Sequence, residues 1–233
     1  MANEFSDMAL VIPALNPTSA FTELVNNLRC QFTSVVVVND GSETSYDKIF
    51  SQIENLGDNV HLISSRHNGG KGHALKKAFS FILDNIKGIK GVVTADCDGQ
   101  HSAEDILKVG LSFFKKSNPS IVLGVREFDK DVPFRSKFGN LIIRSLFHLQ
   151  TGNFVVDTQT GLRAIPTAFL NSCINIPSNN YEFEMDMLMI SIKEKIPISS
   201  VKIKTIYLNG NKSSHFNPLL DSLKIVFVLI RYS

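Results

Sequence analysis

Hydrophobic residues in the first half of this chain fall in short dense runs, separated by stretches in which apolar positions recur every three or four residues. The runs at 9–13, 34–39, 60–64, 91–95 and 120–124 are rich in Val and Ile and too short for helices, so they predict buried strands. The stretches at 18–29, 45–56, 71–86 and 103–116 carry helical spacing. Strands alternating with helices predict right-handed βαβ units in an α/β fold with a mostly parallel sheet. Continuously apolar strands predict that helices cover both sheet faces.

The second half is less regular. A loop over 126–133 leads into a predicted helix over 134–150, and a polar, Thr-rich segment at 157–163 follows. Next come a helix over 181–193, a strand over 198–207 and a polar stretch at 209–215. No repeat or linker interrupts the chain, which predicts one catalytic-sized domain over 1–217. Residues 218–233 form an apolar C-terminal helix, either packed or juxtamembrane. The helix at 134–150 carries an apolar stripe of Phe134, Phe138, Leu141, Ile142, Ser145, Leu146 and Leu149, with Arg135, Lys137 and Arg144 off it. Such a stripe suits a packed core helix or one lying on a membrane surface.

Ligands of parallel α/β sheets bind outside the carboxyl ends of the strands. Pro13, Asp40 and Asp96 all stand at such ends and are expected to share one crevice. There the run Val92-Val93-Thr94-Ala95 gives way to Asp96-Cys97-Asp98-Gly99-Gln100-His101. Two carboxylates at i, i+2 beside an amide are an oxygen-rich set suited to Mg2+ or Mn2+. The alternative is a plain Asp-Gly turn. Asn68-Gly69-Gly70-Lys71-Gly72 lacks the spacing of a nucleotide-triphosphate loop, and it predicts a tight turn into a helix with Lys71 near a phosphate or on the surface. Glu182 and Glu184 fall at a helix start, where acids are stabilising in any case.

Composition narrows the partners. The net charge is +2 with Lys and Arg dispersed, which argues against nucleic acid. Cys30, Cys97 and Cys173 have neither zinc nor disulfide spacing and read as free thiols. No apolar run approaches the roughly 18 residues of a membrane span.

Five ordered motifs now carry a resemblance. They are Val11-Ile12-Pro13-Ala14-Leu15-Asn16, Val37-Val38-Asn39-Asp40-Gly41-Ser42, the 68–72 turn, the 95–101 segment and Asp157-Thr158-Gln159-Thr160-Gly161-Leu162-Arg163-Ala164. Together they resemble family 2 glycosyltransferases of the GT-A fold, a Rossmann-like architecture, and most closely the polyprenyl-phosphate branch. The resemblance implies a nucleotide diphosphate sugar donor and inversion at the anomeric carbon. It places the metal on Asp96, Asp98 and Gln100, with Asp98 catalytic, and it implies that Asp40 contacts the base. Pro13 and Leu15 would line the nucleoside pocket. Leu15 stands where an aromatic is frequent, Pro17 where Glu is usual, and Asn39 replaces an Asp, so uracil and guanine both stay open.

Charge then bears on the acceptor. A hydroxyl acceptor needs a general base, whereas a phosphate monoester is largely dianionic at neutral pH. Its obstacle is repulsion from the donor, roughly 3 kcal/mol for two unit charges about 5 Å apart at an effective dielectric of 20. Fixed cations offset that, and the resemblance puts them at Arg126 and Arg135, with Lys212 a further candidate. Asp157 is either a base or a brace for the acceptor loop. The expected activity is transfer of a hexose, glucose as the first choice, from UDP to a polyprenyl phosphate at the cytoplasmic membrane face. Transfer to a polysaccharide or protein hydroxyl, nucleotidyl transfer and non-catalytic nucleotide-sugar binding are the rivals.

Overall fold

The computed structural model describes residues 5–115, 118–126, 134–204 and 220–232, leaving aside the side chains of 134–140, 220 and 222. In chain order the elements are β1 (Phe5–Ala14), α1 (Phe21–Arg29), β2 (Phe32–Asn39), α2 (Asp47–Glu54), β3 (Val60–Ser64), α3 (Lys71–Asn85), β4 (Gly91–Thr94) and α4 (Ala103–Phe114). They continue as β5 (Ile121–Arg126), α5 (Phe134–Thr151), β6 (Arg163–Pro166), α6 (Leu170–Ile174), α7 (Phe183–Lys193), β7 (Ile198–Ile203) and α8 (Leu220–Arg231). Among the described residues seven strands form one sheet in the order β3-β2-β1-β4-β6-β5-β7.

Strand alternation explains the two-sided burial. Val36 and Val38 of β2 join a cluster with Ala74, Leu75, Ala78, Phe79 and Ile82 of α3. Val35 and Val37, on the other face, join Phe21, Val25 and Leu28 of α1, Phe50 and Ile53 of α2, and Ile106 and Val109 of α4. The sheet is covered on both faces, as the apolar strands predict.

Several boundaries differ from the sequence expectation. β1 begins at Phe5, which is fully buried and stacks on Phe32 with ring centroids 4.9 Å apart. The 45–56 segment divides into a 3-10 turn at Thr44–Tyr46 and α2. The largest difference is β6, an unanticipated strand that pairs antiparallel with both β4 and β5. Its four residues open on Arg and close on Pro, so no apolar run marks it. Arg163 is nonetheless only 1% exposed. Its guanidinium donates to the carbonyls of Thr160 at 2.8 Å, Glu184 at 2.7 Å and Thr158 at 3.1 Å. The arginine therefore acts as a buried strut between the 158–160 turn and α7.

The C-terminal helix is packed. Ile225, Val228 and Leu229 enter the core cluster of α3 and α7. Arg231 reaches both carboxylate oxygens of fully buried Asp186 at 2.8 and 2.9 Å, and Gln150 of α5 donates to the Leu229 carbonyl at 2.8 Å. Yet α5 and α8 also turn apolar side chains outward: Leu141, Ile142 and Leu149 on one, Leu223, Phe227 and Ile230 on the other. Among the described residues no helix is long and apolar enough to cross a membrane.

Candidate active site

A crevice of about 300 Å3 opens at the carboxyl ends of β1, β2 and β4, and Pro13, Leu15, Asp40, Lys71, Asp96 and Asp98 all line it. Local hydrogen bonds set its walls. Asn16, with φ of 49°, accepts from Glu43 N at 3.0 Å, while its own N–H donates to the Ser42 hydroxyl at 2.9 Å. Asn39 accepts from Ser42 N at 2.9 Å. Asn16 thus ties the loop after β1 to the loop after β2, and Asn39 braces the latter internally.

Asp40 is 4% exposed, and its two oxygens accept from Gly69 N at 3.1 Å and Gly70 N at 2.8 Å. Burial pushes its carboxyl upward, against the pull of those two amides. This clamp fixes the turn that launches α3. Gly70 adopts φ of 98°, a left-handed conformation that glycine takes without strain.

The turn delivers Lys71 to the far wall. Its ammonium lies 2.6 Å from Asp96 Oδ1 and 2.8 Å from Glu184 Oε1. Burial works against that charge, but Asp96 and Glu184 outweigh it and hold the lysine protonated. Burial also opposes ionisation of Asp96, yet Lys71 and His101, whose Nε2 is 3.3 Å away, keep its carboxyl well below the usual range. Asp98 goes the other way: burial, with the neighbouring Asp96 charge, raises it. It accepts from Gln100 N at 3.0 Å and from the Gln100 side-chain amide at 2.8 Å.

The residues present fit a hard divalent cation. Asp96, Asp98 and Gln100 offer carboxylate and amide oxygens. Burial pushes the Cys97 thiol between them up to about 12. Among the described residues no group of three or more His, Cys, Asp or Glu side chains is gathered closely enough to hold a metal ion by itself.

The predicted acceptor cations are placed differently. Arg126, at the end of β5, meets Asp157 bidentately, Nε to Oδ2 at 2.7 Å and Nη2 to Oδ1 at 3.1 Å. Asp157 is wholly buried and also accepts from Gln159 N at 3.1 Å. Of the two readings of Asp157, this geometry is that of a brace. Neither Arg126 nor Asp157 is among the residues lining the crevice. The Arg135 side chain and Lys212 lie outside the described residues.

Three residues join the site beyond those assigned to it from the sequence, where Glu184 was read as an acid at a helix start. Glu184 shares Lys71, and its signal was an acid buried inside the apolar run Phe183-Glu184-Met185. Tyr181 lines the crevice, its ring centroid 5.8 Å from the Lys71 ammonium. Asp221, at the start of α8, also lines it, and no local pattern marks it.

Gly161 packs closely against the Lys71–Asp96 pair. A Cβ there would lie 2.5 Å from both Asp96 Oδ2 and Lys71 Nζ. Gly161→Ala should therefore displace this ion pair and lower turnover by about 100-fold, the usual order for a small misplacement of reacting groups. Steady-state kinetics on protein of unchanged circular dichroism checks this; turnover near the parent's would count against the tight packing at Gly161.

Comparison with known proteins agrees with the geometry. The profile of Glycosyl transferase family 2 matches residues 9–174. A UDP-N-acetylglucosamine–dolichyl-phosphate N-acetylglucosaminyltransferase of Methanococcus voltae is 31% identical over 243 residues, spanning 95% of this chain and 94% of the relative. A dolichyl-phosphate beta-glucosyltransferase of Dictyostelium discoideum is 27% identical over 210 residues, spanning 85% of this chain and 63% of that protein. The crystal structure of glucosyl-3-phosphoglycerate synthase from Mycobacterium tuberculosis, in complex with Mn2+, UDP and phosphoglyceric acid, superimposes with a TM-score of 0.71 at 17% identity. That match covers 97% of this chain and 78% of the synthase, a likeness of fold.

Proposed function

The chain belongs to glycosyl transferase family 2, and on that premise we propose that it moves a glucose-configured sugar from UDP to a polyprenyl phosphate, with inversion. The fold is GT-A and the chain is a glycosyltransferase. The observation that carries the finer reading is the convergence of Asp40, Lys71, Asp96 and Asp98 on one crevice at the carboxyl edge of the sheet. Uridine and a gluco sugar are favoured because the named relatives act with UDP-N-acetylglucosamine or as glucosyltransferases. Glucose remains the first choice and N-acetylglucosamine the alternative.

Mg2+ or Mn2+ held by Asp96, Asp98 and Gln100 would neutralise charge gathering on the departing diphosphate. The remaining work falls to the chain. Asp40 holds the Gly69–Gly70 turn rigid beside the nucleoside, with Pro13 and Leu15 as its apolar wall. Lys71 supplies a cation within reach of diphosphate oxygens. Asp157 orients Arg126 before any ligand arrives, so less side-chain freedom is lost on binding an anion. Arg126, with Arg135 and Lys212, is proposed to offset the acceptor's charge, and a dianionic phosphate needs no base. The outward apolar faces of α5 and α8 support a peripheral seat on the cytoplasmic face of a membrane.

The test is transfer from radiolabelled UDP-glucose and UDP-N-acetylglucosamine to polyprenyl phosphate in vesicles, scored as label entering the organic phase. One donor should label the lipid, and Arg126→Ala should cut the rate by about 100-fold while sparing UDP binding. Label that stays in water with every donor would refute the lipid-phosphate acceptor.

A further inference from the structure

The ion pair at Asp96 has a consequence for how ligands enter. An ammonium 2.6 Å from Asp96 Oδ1 stands at the carboxylate that a divalent cation would use. A cation bound there at about 2.1 Å would lie only a few ångströms from it, and like charges at that range repel strongly. Lys71 is tethered on both sides. Its backbone is fixed by the Asp40 clamp on Gly69 and Gly70, and its ammonium is shared with Glu184 at 2.8 Å. Both partners are shielded, the Lys71 side chain 14% exposed and that of Glu184 7%. Gly161 leaves no space for a Cβ beside the pair. The side chain lines the crevice, so a ligand bound there comes within its reach.

We propose that Lys71 is a resident counter-ion that blocks Asp96 until a diphosphate in the crevice draws its ammonium away, so that metal and nucleotide bind as a coupled pair. This rests on the reading of Asp96 and Asp98 as cation ligands. Lys71 thereby has two stations, one on Asp96 and Glu184, the other on diphosphate oxygens. In leaving Asp96 for a diphosphate the ammonium gives up one of its two carboxylate partners and meets a group that carries more than one negative charge. Its arrival therefore frees an Asp96 oxygen at the moment a cation is useful. By linkage the effect is reciprocal: metal favours nucleotide by the same factor as nucleotide favours metal. A cation alone, without the diphosphate, meets the Lys71 ammonium already seated on Asp96.

The experiment is direct Mn2+ binding, read from the electron paramagnetic resonance signal of free Mn2+, with and without UDP. Without UDP, Lys71→Gln should bind Mn2+ about tenfold or more tightly than the parent, because one repelling charge is gone. Lys71→Arg keeps the charge and should bind as weakly as the parent. Should Lys71→Gln fold poorly with Glu184 left unpaired, the double variant Lys71→Gln/Glu184→Gln removes the pair together and should still bind Mn2+ more tightly than the parent, by a smaller factor because an attracting carboxylate is lost as well. The factor by which UDP tightens Mn2+ should shrink in both glutamine variants. Mn2+ affinity that the glutamine variants leave unchanged, but that Asp98→Asn abolishes, overturns the counter-ion and leaves the metal reading standing. Affinity untouched by Asp98→Asn overturns both.

Discussion

Asp98→Asn is expected to lower the rate of sugar transfer by about 1,000-fold or more, the order that goes with several kcal/mol of lost charge stabilisation. The substitution keeps the side chain's shape. Its remaining oxygen can still accept from Gln100 N, now at 3.0 Å from Asp98 Oδ1. Melting temperature should therefore fall by no more than a few degrees, about 1 kcal/mol of hydrogen bonding. Asp98 is the cleaner probe of the pair, because replacing Asp96 also removes a partner of Lys71. Single-turnover kinetics with labelled donor separates the chemical step from binding. A rate within tenfold of the parent would remove Asp98 from the catalytic assignment.

Arg163→Met should have the largest effect on stability. The guanidinium is 1% exposed and satisfies the carbonyls of Thr158, Thr160 and Glu184. Methionine fills much of the volume but donates nothing, leaving three buried acceptors without it, at about 1–3 kcal/mol each before relaxation. A net loss of about 3–5 kcal/mol is expected, or a fall of about 10 °C in Tm for a chain of this size. Arg163→Lys should recover little, since one compact ammonium cannot span acceptors on two segments. Differential scanning calorimetry decides it. A shift of only about 2 °C would mean that water or relaxation replaces the strut.

Much of the site was legible before folding because its parts are local. A strand end followed by Asp-x-Asp, and a Gly-Gly turn before a helix, announce themselves within a few residues. Asp40, Lys71, Asp96 and Asp98 accordingly meet where the strand ends put them. Partnerships were not legible in the same way. Arg126 reads as an anion-binding cation in isolation, and nothing near it in the chain shows that Asp157 engages its guanidinium. Glu184 reads as an acid favoured by a helix start, yet its carboxylate holds Lys71 beside Asp96. β6 was missed for a related reason: its arginine is buried through carbonyls that come together only in the folded chain.

The order of apolar runs by itself determined a mostly parallel α/β sheet with helices on both faces, and placed the acidic loop at the sheet's carboxyl edge. Periodicity and turn chemistry are properties of neighbouring residues, so they survive in a linear string. Tertiary structure alone decided the antiparallel insertion of β6, the three-way contact of Lys71 with Asp96 and Glu184, and the arrival of Asp221 from the last helix. Those contacts join segments far apart in the chain, and burial, which sets how strongly buried charges act on one another, exists only once they have met.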